Sequence, residues 1–359
     1  MKWLFVTALM MVMLAVGYVT YPKAQGGFDL KAALAALDQT GGVLDLRQQT
    51  GEIVVSEPIR IGVSQQGPCG AIGTACPRGI TLMLGTVMIR LVGNGQLRLG
   101  SSSAIVGSGS GGFATAIQVE TDRDAIVIDA AEGGAWARVA DLDIHTVPAG
   151  DSNTGKALIR IRNSPYNRVE NVSMFFNGNA QYGLLLEATG AQSSHIGTWY
   201  NRVAQLSVQY QTFRTPPIPY TSVGVGLVGA APIGSQFVGD VSYNYLQLQN
   251  VEETGVGVLF SKAHHNTVMG GHLLANTVNV MFADATHNSL YGIKGNQPYS
   301  GQQVTMSGAS YFNAFYSPSF SLPHLLGPSV NATTTVVGNA EMYQRLPGPY
   351  QFTVPPVVQ

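Results

Sequence analysis

The sequence predicts an all-β solenoid, a single-stranded parallel β-helix, and three observations carry that expectation. First, a ring-bearing residue followed by Asn recurs at Tyr166-Asn167, Tyr200-Asn201, Tyr243-Asn244, His265-Asn266, His287-Asn288 and Phe312-Asn313. Second, each pair opens an alternating run such as NRVENVSM (167–174) or NRVAQLSV (201–208), and a second apolar run ending near Ala precedes it, as in GLLLEA (183–188) and VNVMFADA (278–285). Third, charged residues make up only 11% of the chain against 43 Gly, which suits stacked strands and turns and excludes coiled coils and disorder. An all-strand repeat of this size buries its core only against its neighbours. Two clear strands per unit are too few for a propeller blade, so a coil of stacked rungs is expected.

The ring–Asn pair is then a corner. Asn tolerates the left-handed backbone and can form amide ladders between rungs about 4.8 Å apart, so the sequence expectation places the turn on Asn and stacks the rings before it. An earlier copy, ARVADLDI (137–144), has Ala in the Asn place. Its apolar residues fall out of alternation near Ala140-Asp141, which predicts a bulge or a second corner there.

In chain order, Trp3 to Tyr21 form an apolar run behind one Lys, read as a signal peptide (1–25) with an uncleaved anchor through 3–21 as the alternative. The protein is thus expected to be secreted or periplasmic. Leu30, Ala33, Leu34 and Leu37 recur at helical spacing before Gly41-Gly42, predicting one short helix over 28–38. VLDL, EIVV, PIRI, ITLML and MIRLVGNGQLRLG follow as short strands, and the coil is expected to fill 26–320. Cys69 and Cys76 are expected to pair in an oxidising compartment, with two free thiols as the alternative. Residues 321–359, ending LPGPYQFTVPPVVQ, read as a Pro-rich extended tail or cap.

The short helix, GGVLDLRQQTGEIVVSEPIRIG and LVGNGQLRLG together resemble the start of pectate-lyase-superfamily (pectin-lyase-like) proteins. That resemblance implies a right-handed coil plugged by an N-terminal helix. It also implies action on a polysaccharide, as a lyase before a hydrolase, or non-catalytic glycan binding of an adhesin or tail-spike kind. The hydrolase branch's Asn-Thr-Asp and Asp-Asp motifs are missing, while Gly270-Gly271-His272 and Arg160-Ile161-Arg162 only partly match its other two.

Chemistry-bearing residues are few. Beyond that bulge or corner Asp141, Asp143 and His145 are expected to point outward, where Asp141 and Asp143 are spaced to share a calcium ion or to serve as an acid pair. Arg160 and Arg162 are expected on neighbouring outward positions, able to hold a sugar carboxylate beside the acidic triplet or to pair with it. Insertions between late rungs bring Trp199, Tyr200, Tyr210, Phe213 and Tyr220, which are expected either to stack on sugar rings or to seal the coil's flank. With 19 basic and 20 acidic residues and no basic run, nucleic-acid binding has no electrostatic support. GSGSGG (107–112) lacks the strand–loop–helix context of a phosphate loop, and no metalloprotease or serine-hydrolase motif appears.

Overall fold

A chain with period-two alternation and glycine or asparagine punctuation winds here into parallel rungs. The computed structural model describes residues 28–62, 79–110, 116–146, 156–176, 180–189, 197–210, 222–230, 239–296 and 302–320, together with the backbone of 18–20 and 335–337. Their strands join an 18-stranded, a 9-stranded and a 3-stranded sheet, and every strand pair is parallel. The coil is right-handed, the sense taken by crossovers between parallel strands of one sheet.

One rung shows the design. Strand Arg138–Thr146 bends at Asp141, so its first half lies on one face of the coil and its second half on another; strand Ala157–Arg162 then forms the third face. The 18-stranded sheet covers the first two faces and the 9-stranded sheet the third. Rungs stack in register: Val139 on Val169 on Val203, and Ile161 on Leu186 on Leu227 on Phe260 on Phe282. These inward columns are fully buried. They form one continuous core from Leu30 to Phe315. Helix Leu30–Ala35, its N-terminus capped by the Asp29 carboxylate accepting from the Ala32 N–H at 3.0 Å, packs Leu30, Ala33 and Leu34 onto the open end. It is shorter than the expected 28–38.

The ring–Asn corner differs from expectation in one respect. The left-handed residue is the ring, not the Asn: φ is +63° at Tyr166, +54° at Tyr200, +55° at Tyr243, +56° at His265, +55° at His287 and +55° at Phe312. Asn is committed elsewhere, because its amide points into the coil. Asn167, Asn201, Asn244, Asn266, Asn288 and Asn313 are buried; each of the first five donates its amide to the next at 2.9–3.0 Å, and Asn313 donates to the Ala285 carbonyl at 2.8 Å. The turn therefore falls on the residue before. Left-handed backbone costs a non-glycine residue about 1–2 kcal/mol. The rings recover much of it by stacking, with centroids 5.5 Å apart for Tyr166–Tyr200 and Tyr200–Tyr243 and 4.9 Å for His265–His287. Trp136 joins the top of the column, 4.5 Å from Tyr166. Ala137 ends the ladder because only its N–H is needed there, donated to Asn167 Oδ1 at 2.9 Å. Of the bulge or corner expected near Ala140-Asp141 the structure has the corner, at Asp141 with φ +56°, and it recurs at Asn171 and Gln205.

Candidate functional site on the third face

The strands of the third face send alternate residues outward. In QLRL (96–99) Leu97 and Leu99 point in and Arg98 out; in ALIRIR (157–162) Ile159 and Ile161 point in, Arg160 and Arg162 out. Register then builds the column Arg60, Arg98, Val127, Arg160 across four rungs. Between these side chains and the loops beside them lies a cavity of about 320 Å³. Among the described residues, five cations (Arg98, Arg123, Lys156, Arg160, Arg162) and three carboxylates (Asp122, Asp124, Glu132) line it.

Three of the arginines are held by acids. Arg160 lies between Asp124 at 2.9 Å and Glu187 at 2.6 Å, with only 12% of its side chain exposed. Burial works against its charge, but the two carboxylates overcome that and hold its pKa above the ordinary arginine value. Arg162 pairs with Asp129 at 2.7 Å, and Arg98 pairs with Glu132 and donates to Gln96 Oε1 at 2.7 Å.

The remaining two cations are poorly matched. Lys156 is 8% exposed. Among the described residues its ammonium has only the Thr121 carbonyl and Asp122 Oδ1, both at 3.4 Å, and the Asp122 side chain is itself 83% exposed. An ammonium carries three donors, and these contacts sit at the long limit of hydrogen bonding. Arg123 donates to Asn94 Oδ1 at 3.2 Å and has no carboxylate partner among the described residues. A buried cation with weak partners is costly unless an anion joins it.

The structure separates the residues that the sequence grouped together. Asp141, Asp143 and His145 leave the coil on the second face, Arg160 and Arg162 on the third. A bent strand and its successor belong to one rung, but their outward sides diverge. Asp141 accepts from the Asn171 amide at 2.8 Å. Asp143 is 1% exposed. The His145 ring stacks on Phe175 at 4.8 Å, and burial, opposed by Asp143, lowers its pKa. Among the described residues no group of three or more His, Cys, Asp or Glu stands together to hold a metal ion.

The aromatic expectations divide. Tyr210 is 4% exposed and packs edge-on against Phe176 at 5.1 Å, so it belongs to the core and not to a sugar platform. Tyr200 has a ring over each face, which leaves only its edge to solvent. Trp199 is half-buried in the 3-stranded sheet beside Ser242. Phe213, Tyr220, Cys69 and Cys76 lie outside the described residues. Arg98, Arg123 and Lys156 were not singled out in the sequence. Alternation in QLRL was signal enough for Arg98, whereas nothing local marks Lys156.

No family model matches the sequence, and no curated protein is similar to it. Among solved structures, the A-module of the mannuronan C-5 epimerase AlgE4 from Azotobacter vinelandii is similar, with 12% identity over 87% of this chain and 97% of that one and a TM-score of 0.34. What the cavities of this chain bind follows from their own residues.

Proposed function

We propose that this protein is an exported β-helix that acts on polysaccharide and holds the carboxylate of an acidic sugar in the third-face cavity. The observation that supports this most is Lys156, nine-tenths buried with only 3.4 Å contacts among the described residues, lining the same cavity as Arg123. The locked arginines give that cavity a fixed cationic wall, a preorganised partner for an oxyanion.

A lyase-type reaction fits such a cavity. Neutralising a uronate carboxylate acidifies the neighbouring C–H, a base removes that proton, its electron pair forms the C=C bond, and the glycosidic C–O bond breaks. The leaving oxygen takes a proton from solvent. Lys156 and Arg123 take the neutralising part that calcium would otherwise fill. Asp122 is the lining carboxylate outside a close arginine pair, and it is the group able to accept the proton. The fixed pairing of Arg98, Arg160 and Arg162 favours a second reading, a rigid glycan-binding surface without turnover.

The test is a panel of uronate-containing and neutral polysaccharides, with and without calcium, followed by absorbance of the unsaturated product, reducing ends and binding. Turnover of a uronate polymer that is lost in Lys156→Met supports the lyase reading. Binding without turnover, weakened by the same substitution, supports the adhesin-like one. Activity or binding indifferent to both Lys156→Met and Arg123→Gln would remove the site from this cavity. Export is checked on protein made in its own cells, which should lack the first 17–24 residues.

A further inference from the structure

We infer that the second face carries a separate site for a neutral sugar, in a groove across the rungs of strands Arg168–Phe176, Arg202–Tyr210 and Tyr245–Glu252. The groove has a volume of about 390 Å³, within the range of small-ligand sites. Its lining contrasts with that of the third face. Hydroxyls and amides dominate, Phe175 adds a ring, and no charged side chain lines it among the described residues.

Its shape comes from an irregularity in pairing. Register between the second and third of these strands shifts between Val203 and Leu206 and again between Leu206 and Ser207, so Gln249 is an extra residue pushed out of the ladder. Bulges of this kind re-aim side chains beside binding sites. Ser207 donates to the Gln249 side-chain carbonyl Oε1 at 2.9 Å, on the exposed side of the strand. Register brings Ser173, Ser207 and Asn250 into one column. Among the described residues, the Ser173 hydroxyl and the Asn250 amide have no protein partner, although Ser173 is only 7% exposed. Their polar atoms stay open to solvent, where water can be exchanged for the hydroxyls of a ligand.

Phe175 supplies the apolar half of a sugar site. One face of its ring is covered by His145, at 4.8 Å and 13°. The residue in register one rung on is Gln209, not another ring. The column of stacked rings at the first corner offers only edges, whereas Phe175 lines the groove with no second ring stacked on it in the next rung. A pyranose has an apolar face of C–H groups and a rim of hydroxyls, and a ring surrounded by uncharged amides matches both. An anion finds no cation here. Asp141 and His145 act as positioning residues, the first holding the Asn171 amide and the second backing Phe175.

The experiment titrates the full chain with neutral hexasaccharides of glucose, mannose and galactose, and with an oligouronate, by calorimetry and NMR. Saturable binding of a neutral hexasaccharide is expected. Phe175→Leu, which keeps packing on His145 but removes the flat ring, should weaken it about threefold to tenfold. Asn250→Ala should weaken it about tenfold, and Lys156→Met should leave it unchanged. Three results would each overturn the inference: no saturable binding of any neutral hexasaccharide, binding indifferent to both second-face substitutions, or loss of neutral-sugar binding in Lys156→Met. Oligouronate binding that depends on Lys156 but not on Phe175 assigns that ligand to the third face and supports two separate sites.

Discussion

Replacing Asn244 by Ala in the middle of the amide ladder tests the force that fixes the corner. Asn244 is 1% exposed. Its carbonyl accepts from the Asn201 N–H at 3.0 Å and from the Asn201 amide at 2.9 Å, while its own amide donates to the Thr198 carbonyl at 2.8 Å and to Asn266 Oδ1 at 2.9 Å. Alanine removes all four bonds. The Asn201 amide keeps the Ser164 carbonyl at 3.1 Å, and Asn266 Oδ1 keeps the Asn244 N–H at 3.1 Å, so those two groups lose only part of their bonding. The Asn201 backbone N–H loses its side-chain acceptor inside the coil. A buried donor stripped of its partner costs about 1–3 kcal/mol and each lost net bond about 0.5–1.5 kcal/mol, so the sum is about 3–5 kcal/mol. Urea unfolding followed by far-UV circular dichroism reads this as a lowered midpoint, or as a new first transition if the coil splits at the damaged rung. Asn244→Asp should be no better, because it offers no donor to Thr198 or Asn266. A shift below about 0.5 kcal/mol in Asn244→Ala, or full rescue by Asp, would refute the ladder as a source of stability.

Three further outcomes are expected. Phe260→Ala opens the stacked Phe260–Phe282 pair, 4.9 Å apart and fully buried, and should cost about 3–5 kcal/mol in the same urea assay. Arg160→Leu leaves Asp124 and Glu187 without their shared cation at a site 12% exposed, and should destabilise by about 3–5 kcal/mol, well beyond Arg162→Leu at 38% exposure. The His265 pKa lies below 6.5, lowered by burial and by repulsion from His287 and His264 against an opposing Asp240. The folded state therefore binds fewer protons than the unfolded one below pH 6.5, so stability is full above that pH and falls as pH drops through the lowered value. Thermal melting from pH 7.5 to 4.5 should show this acid loss, and His265→Phe should flatten it.

Much of the coil was legible because its signals are local. Alternation with period two marks each inward column, and the ring–Asn pair marks a corner wherever it recurs. The break at Ala140-Asp141 was readable because three apolar residues in ARVADLDI cannot share one alternation. The left-handed residue was misassigned for a physical reason. Asn's intrinsic tolerance of that conformation is a single-residue property, but a buried amide bonded above and below is worth more than the strain of turning at Tyr or His.

What the sequence by itself determined is the all-β rung, its inward columns and the existence of a ladder, since each depends on residues a few positions apart. What only the tertiary structure decided is which outward residues meet. Arg160 lies close in sequence to Asp141, yet their strands belong to different sheets and they leave the coil on different faces. Lys156 and Asp122, 34 residues apart, line one cavity because a full turn of the coil brings them level. Register between rungs is set by the length of every intervening loop and by bulges such as the one at Gln249, and a period-two pattern carries no record of either.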